Sequence, residues 1–143
     1  MQIRELMNPN VVSIDPKESA ALAARLIARH NVGALPVCQS NGILQGMLTD
    51  RDIILRCVAA EEDPTKTEVR SIMTKKCVSV SPDDDIRTAS HLMSLSQIRR
   101  LPVLEQGKLV GMLSLGDLAA CGQCEMELSQ ALCEISENVH RPF

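Results

Sequence analysis

Two short stretches hold the residues best placed to do chemistry. One is Gly46-Met47-Leu48-Thr49-Asp50-Arg51-Asp52. The other is Gly111-Met112-Leu113-Ser114-Leu115-Gly116-Asp117. Each runs glycine, two apolar residues, a hydroxyl, two variable residues and an aspartate. A short carboxylate can accept both hydrogen bonds of a vicinal diol. A helix N-terminus favours an anion, and glycine at the end of a strand permits close backbone approach. Together these suit a nucleotide, with ribose on the aspartate and phosphate near the hydroxyl and the helix amides. The base would lie between aliphatic side chains. Arg51 adds a cation that could meet a phosphate. The same residues also satisfy an ordinary capping box, hydroxyl at the N-cap and acid in the first turn. The same residues thus fit both capping and ligand binding.

The two stretches are copies of one design. Shifted by 66 positions, the sequence meets itself: Arg4 and Met7 fall on Arg70 and Met73, and Val12-Ser13-Ile14 on Val78-Ser79-Val80. Pro16 falls on Pro82, and Leu35-Pro36-Val37 on Leu101-Pro102-Val103. One residue is lost in the following turn. Gly42, Leu44, Gly46 and Asp52 then fall on Gly107, Leu109, Gly111 and Asp117. A tandem duplication over residues 1–62 and 67–121 accounts for this, with 61–68 as a charged, Pro-containing surface link.

Each copy reads β-α-β-β-α. The β-branched segments 11–14 and 78–80 read as strands. Asp15-Pro16-Lys17-Glu18 and Ser81-Pro82-Asp83-Asp84 read as helix starts, the helices running to about His30 and Ser96. Two short strands follow, joined by Asn41-Gly42 in one copy and by Glu105-Gln106-Gly107 in the other. A last helix opens at Thr49 or Ser114. Residues 123–139 add a C-terminal helix, with Leu128, Leu132, Ile135 and Val139 on one stripe. A unit of about 60 residues buries little core alone. The expected fold is therefore α+β, two repeats packed face to face with pseudo-twofold symmetry.

Composition narrows the function. The 143 residues are 45% hydrophobic but contain one aromatic residue, Phe143, so the core is aliphatic. No aromatic platform exists for stacking a row of bases. A net charge of -3 argues against a phosphate-tracking surface, so no nucleic-acid partner is expected. No apolar run approaches membrane-spanning length, and the charged N-terminus does not resemble a signal peptide. A cytoplasmic protein with six free thiols is expected. Cys121-Gly122-Gln123-Cys124 is a C-x-x-C pair, but Cys133 and His140 do not complete a recognised metal spacing. His30, His91 and His140 are isolated, and Asp83-Asp84-Asp85 reads as a helix-start charge run. No metal set, no P-loop, no G-x-G-x-x-G and no catalytic constellation is legible. From these residues the expectation is a protein that is not an enzyme.

The repeated segments 12–14, 35–37 and 46–52, with their twins 78–80, 101–103 and 111–117, resemble the cystathionine-β-synthase (CBS) domain. The tandem, over about residues 3–121, is similar to a CBS pair, or Bateman module, standing alone. The resemblance implies a regulatory module that binds an adenine nucleotide (AMP, ADP, ATP), or a related adenosyl ligand such as S-adenosylmethionine or NAD, in clefts between the repeats. No other cofactor is implied. By position, Asp52 and Asp117 would hold the ribose diol, with Thr49 and Ser114 on ribose or phosphate. Ser13, Ile14, Leu35, Pro36 and Val37, with Ser79, Val80, Leu101, Pro102 and Val103, would frame the base.

The copies differ where charge matters. Leu115-Gly116 replaces Asp50-Arg51, so the second copy lacks the phosphate partner Arg51 offers. Arg99 and Arg100 could supply it, where the first copy has Gly33-Ala34. Two clefts of unequal affinity are expected, the first being the better phosphate site. Homodimerisation and an unidentified effector protein are implied by the same resemblance. Two rival readings stay open. One is a thiol redox or metal-responsive protein using Cys121 and Cys124 on this scaffold; the other is a ligand-free dimeric scaffold.

Overall fold

The computed structural model describes residues 1–122 together with Leu132 and Ile135. Among them are four helices and two two-stranded antiparallel sheets, the mixed α+β class expected. The elements are α1 (Ala20–His30), β1 (Ala34–Cys38), β2 (Leu44–Thr49) and α2 (Asp50–Ile53), then α3 (Ile86–Ser96), β3 (Arg100–Glu105), β4 (Lys108–Ser114) and α4 (Leu115–Cys121). Short 3-10 turns occupy Ile3–Glu5 and Val69–Ser71. Of the C-terminal segment 123–139, only Leu132 and Ile135 lie within the described residues. Both are helical, and Ile135 is buried.

The chain forms two compact units, and their limits cross those of the repeats. One unit is Val12–Cys77. The other joins Met1–Val11 to the chain from Val78 onward. Each unit therefore contains the body of one repeat and the lead-in arm of the other. Apolar anchors hold the arms. Val69, Ile72 and Met73 sit in the core with Ile14, Ala23, Leu35, Val37 and Leu48. Ile3, fully buried, sits in the other core with Val80, Ile86, Met93, Leu101 and Leu113. Burying one such side chain contributes about 1.5–3 kcal/mol.

Backbone hydrogen bonds complete the attachment. Val69 N–H donates to Glu18 O (2.8 Å) and Arg70 N–H to Pro16 O (2.9 Å). In the other unit Ile3 N–H donates to Asp84 O (2.9 Å) and Arg4 N–H to Pro82 O (2.9 Å). The arms also receive the first helix amides, which have no partner inside a helix. Ala20 N–H donates to Thr67 O (2.8 Å) and Ile86 N–H to Met1 O (3.1 Å).

These contacts explain where the helices begin. The expected starts at Asp15 and Ser81 are turns instead, with Ser19 and Asp85 as the actual N-caps. Asp15 accepts from Lys17 N–H (2.9 Å), an Asx turn that mimics a cap. The carbonyls of Pro16 and Glu18 accept from the arm instead of from helix amides, so the helix does not start there. Segment 11–14 likewise does not extend into a strand. Ile14 makes one parallel bridge to Val37, as Val80 does to Val103.

The two hairpins share one register. Ala34 faces Thr49, Pro36 faces Met47, and the ladder slips one residue between Val37 and Cys38. Arg100 faces Ser114, Pro102 faces Met112, and the slip recurs between Val103 and Leu104. Beyond Ile53 the last helix of the first repeat widens into a π-helical turn, Ile54–Val58.

Candidate functional site

Both capping boxes form, each within its own unit. Thr49 N–H donates to Asp52 Oδ2 and Asp52 N–H to Thr49 Oγ1, both at 3.0 Å. Ser114 N–H donates to Asp117 Oδ2 (2.8 Å) and Asp117 N–H to Ser114 Oγ (3.0 Å). Each box starts a helix directly from the end of a strand, so the hydroxyl, the acid and the first helix amides converge on one point.

The glycines do something other than admit a ligand. A Cβ on Gly46 would lie 2.6 Å from Thr74 O, and one on Gly111 would lie 2.7 Å from Met7 Sδ and 3.1 Å from Asn8 O. The close approach expected at these positions is made by the protein's own arms. Met47 and Thr74 exchange two backbone hydrogen bonds (2.9 and 2.8 Å), as do Met112 and Asn8 (3.0 and 2.9 Å).

The two acids have different surroundings. Asp52 is 9% exposed. Besides Thr49 N–H, it receives Thr74 Oγ1–H at 3.4 Å from both oxygens. Arg56 Nε stands 4.0 Å from Oδ1 while its Nη1 donates to Ile72 O and Met73 O (3.2 and 3.1 Å). Asp117 is half-buried and, among the described residues, its carboxylate accepts from Ser114 N–H alone. The positions that match Thr74 and Arg56 are Asn8 and Cys121. Asn8 Oδ1 turns back to Asn10 N–H (3.0 Å) and the Cys121 thiol to Leu118 O (3.1 Å).

Charge is distributed the other way. Arg100 is exposed and lies directly opposite Ser114 in the ladder, while Arg99 O accepts from Leu115 N–H (2.8 Å). In the first repeat Ala34 takes that place, opposite Thr49. Arg51 is exposed, and its backbone N–H donates to Asp50 Oδ1 (2.8 Å).

The remaining named residues divide into core and surface. The side chains of Leu35, Pro36, Val37, Leu101 and Val103 are fully buried, and Pro102 is buried. Ile14 and Val80 are 4% exposed, and they pair with the strand backbone. Ile14 N–H donates to Pro36 O (3.0 Å) and Val80 N–H to Pro102 O (3.1 Å). A ligand would therefore meet these segments along their edge, not their apolar side chains. Ser13 is exposed and Ser79 half-buried.

Thr74, Arg56 and Cys77 lie outside both motifs, yet they border Asp52. Burial pushes the Cys77 thiol up, against a backbone hydrogen bond with Met47; the Asp52 carboxylate pushes it up further. Its signal in the sequence is the repeat itself, since each of these residues has a chemically different twin. Cys121 is described, whereas Cys124, Cys133 and His140 lie outside the described residues. Among the described residues no three metal-ligating side chains cluster, and no helix is long and apolar enough to cross a membrane.

The CBS-domain family model matches residues 3–58 and 69–121. The chain belongs to the CBS-domain family. As a CBS pair it is similar along almost its whole length to the CBS domain-containing protein YhcV of Bacillus subtilis. The two are 42% identical over 139 residues, covering 96% of this chain and 98% of YhcV. The crystal structure of Hypoxic Response Protein I with two coordinated zinc ions superposes with a TM-score of 0.78 at 32% identity. It covers 84% of this chain and 98% of that one. The CBS domain pair of protein MJ0100, solved with 5-methylthioadenosine and S-adenosyl-L-methionine, shares the fold with a TM-score of 0.74 at 22% identity, covering 85% of this chain and 94% of that one.

Proposed function

We propose that this CBS pair, with repeats over 1–62 and 67–121, is a regulatory sensor of an adenosine-containing small molecule, with no catalytic step of its own. The observation that carries the reading is the Asp117 cap. There a half-buried carboxylate keeps hydrogen-bonding capacity for a diol, beside the helix amides that follow Ser114, the residue opposite Arg100. A ribose on Asp117 and a phosphate drawn to Arg100 use each group for what it does best.

Our ranking of the two sites differs from that of the motif. Asp52 spends its capacity on Thr74 and the Arg56 region, so the first cap serves mainly as structure despite Arg51. The second cap, poorer in its motif, is the stronger ligand site. The shared fold with MJ0100 makes adenosyl compounds the first class to test. Calorimetric titration with AMP, ADP, ATP, S-adenosylmethionine and NAD tests the reading, and silence from all five would remove it.

Signal output requires a partner. Ile54, Leu55 and Val58, 50–61% exposed on one π-helical turn, suit a second copy of this chain. We take the working form to be a homodimer in the cytoplasm that acts on a separate effector protein. The thiol or metal alternative rests on the C-x-x-C pair, of which Cys121 donates its thiol to Leu118 O (3.1 Å) and Cys124 lies outside the described residues.

A further inference from the structure

We propose that residues 12–77 carry a second binding pocket, for a small soluble anion bearing phosphate groups. A cavity of about 620 Å³ opens beside the turn that joins β1 to β2. Small-molecule sites commonly enclose about 300–1,000 Å³. The pocket lies at the turn end of the hairpin, whereas Thr49 and its cap close the opposite end. It therefore does not rest on the adenosine reading.

Three cations line it: Lys17, Arg70 and Lys75. Gln39 and Gln45 add amide donors. The one acid in the lining, Asp15, is turned to Lys17 N–H (2.9 Å) in its Asx turn. Arg70 also pairs with Glu68, Nε to Oε2 at 2.7 Å and Nη2 to Oε1 at 3.4 Å. That leaves its Nη1 donors for an anion. Clefts lined by one sign of charge concentrate the opposite sign. Arginine and lysine together match the oxygens of phosphate.

The molecule contains its own control. At matching positions the other unit replaces Lys17 by Asp83, Gln39 by Glu105, Gln45 by Val110 and Lys75 by Pro9. The counterpart of Arg70 is Arg4, and its Nη2 is tied to Asp83 Oδ1 at 2.9 Å. The same backbone plan thus carries an anion pocket in one unit and a closed ion pair in the other. A neighbouring cavity of about 630 Å³ supplies a further contrast. There Arg56, Lys66 and Arg70 face Glu62, Asp63 and Glu68, which balances the charge.

Isothermal titration calorimetry at low ionic strength, with inorganic pyrophosphate as the probe, tests the proposal. The wild type should bind one equivalent. Lys17→Gln and Lys75→Gln should each weaken binding about fivefold or more, and Lys17→Asp should abolish it. Lys108→Gln, a surface charge on the other unit, should leave it unchanged. Circular dichroism should report all four variants folded, since these lysines are exposed. No heat from pyrophosphate would overturn the proposal. So would an equal loss in Lys108→Gln and Lys17→Gln, or a loss confined to Arg100→Gln.

Discussion

Thr74 Oγ1 lies 3.4 Å from each carboxylate oxygen of Asp52. This contact joins the arm of one repeat to the helix cap of the other. It has no twin at Asp117, where Asn8 stands in place of Thr74 and bonds to its own turn. The two halves share a backbone plan and differ in what their acids are free to do.

The glycines facing the arms should be intolerant to different degrees. Gly46→Ala drives a methyl to 2.6 Å from the backbone oxygen of Thr74, which is fixed by two hydrogen bonds. Gly111→Ala meets chiefly the flexible Met7 Sδ. Overpacking commonly costs about 1–3 kcal/mol, and Gly46→Ala should fall at the upper end with Gly111→Ala below it. Urea denaturation of both variants measures this. The reverse order would count against the role given to the Thr74 arm.

Cys77 should be a slow nucleophile that quickens when Asp52 loses its charge. Burial and the nearby carboxylate both hold the thiol protonated, and the thiolate is the reactive form. Its raised pKa also means the folded state keeps this proton longer than the unfolded chain. The associated stability is present below the ordinary thiol pKa and is lost as pH rises through the raised value. Iodoacetamide labelling at pH 8, mapped by mass spectrometry, should run faster at Cys77 in Asp52→Asn than in wild type. An unchanged rate would contradict the electrostatic link.

The exposed apolar turn predicts a specific dimer defect. Ile54→Glu combined with Val58→Glu places two charges on residues 58% and 61% exposed. The core is untouched, so the melting temperature of the monomer should hold. Light scattering after gel filtration should show dimer for wild type and monomer for the double variant. A double variant that remains dimeric would place the interface elsewhere.

Local pattern made much of this molecule legible. Asn41-Gly42 and Gln106-Gly107 mark hairpins because the turn conformation restricts residue choice; Gln106 and Gly107 both have positive φ. Thr49 and Ser114 mark caps because only a hydroxyl or short polar side chain serves there. Self-comparison exposed the duplication. What stayed hidden depends on residues far apart in sequence. Asp15 resembled an N-cap, but the arm at 67–70 claims the carbonyls that a helix would need. Gly46 advertised a close approach without saying that Thr74 makes it. The sealing of the Leu35 and Val37 side chains in the core depends on Val69 and Met73, far along the chain. Arg51 made the first motif look richer, while the neighbours that occupy Asp52 lie at 56 and 74.

The most direct test compares Asp117→Ala with Asp52→Ala. Wild type and both variants are titrated by calorimetry with AMP, ADP, ATP, S-adenosylmethionine and NAD, and their melting temperatures are recorded. At least one of the five should bind wild type. Asp117→Ala should weaken that ligand about tenfold or more. Asp52→Ala should retain it yet lose about 1–2 kcal/mol of stability, from the broken cap and the orphaned Thr49 N–H. No binding by wild type, or a ligand lost in Asp52→Ala and kept in Asp117→Ala, would contradict the account.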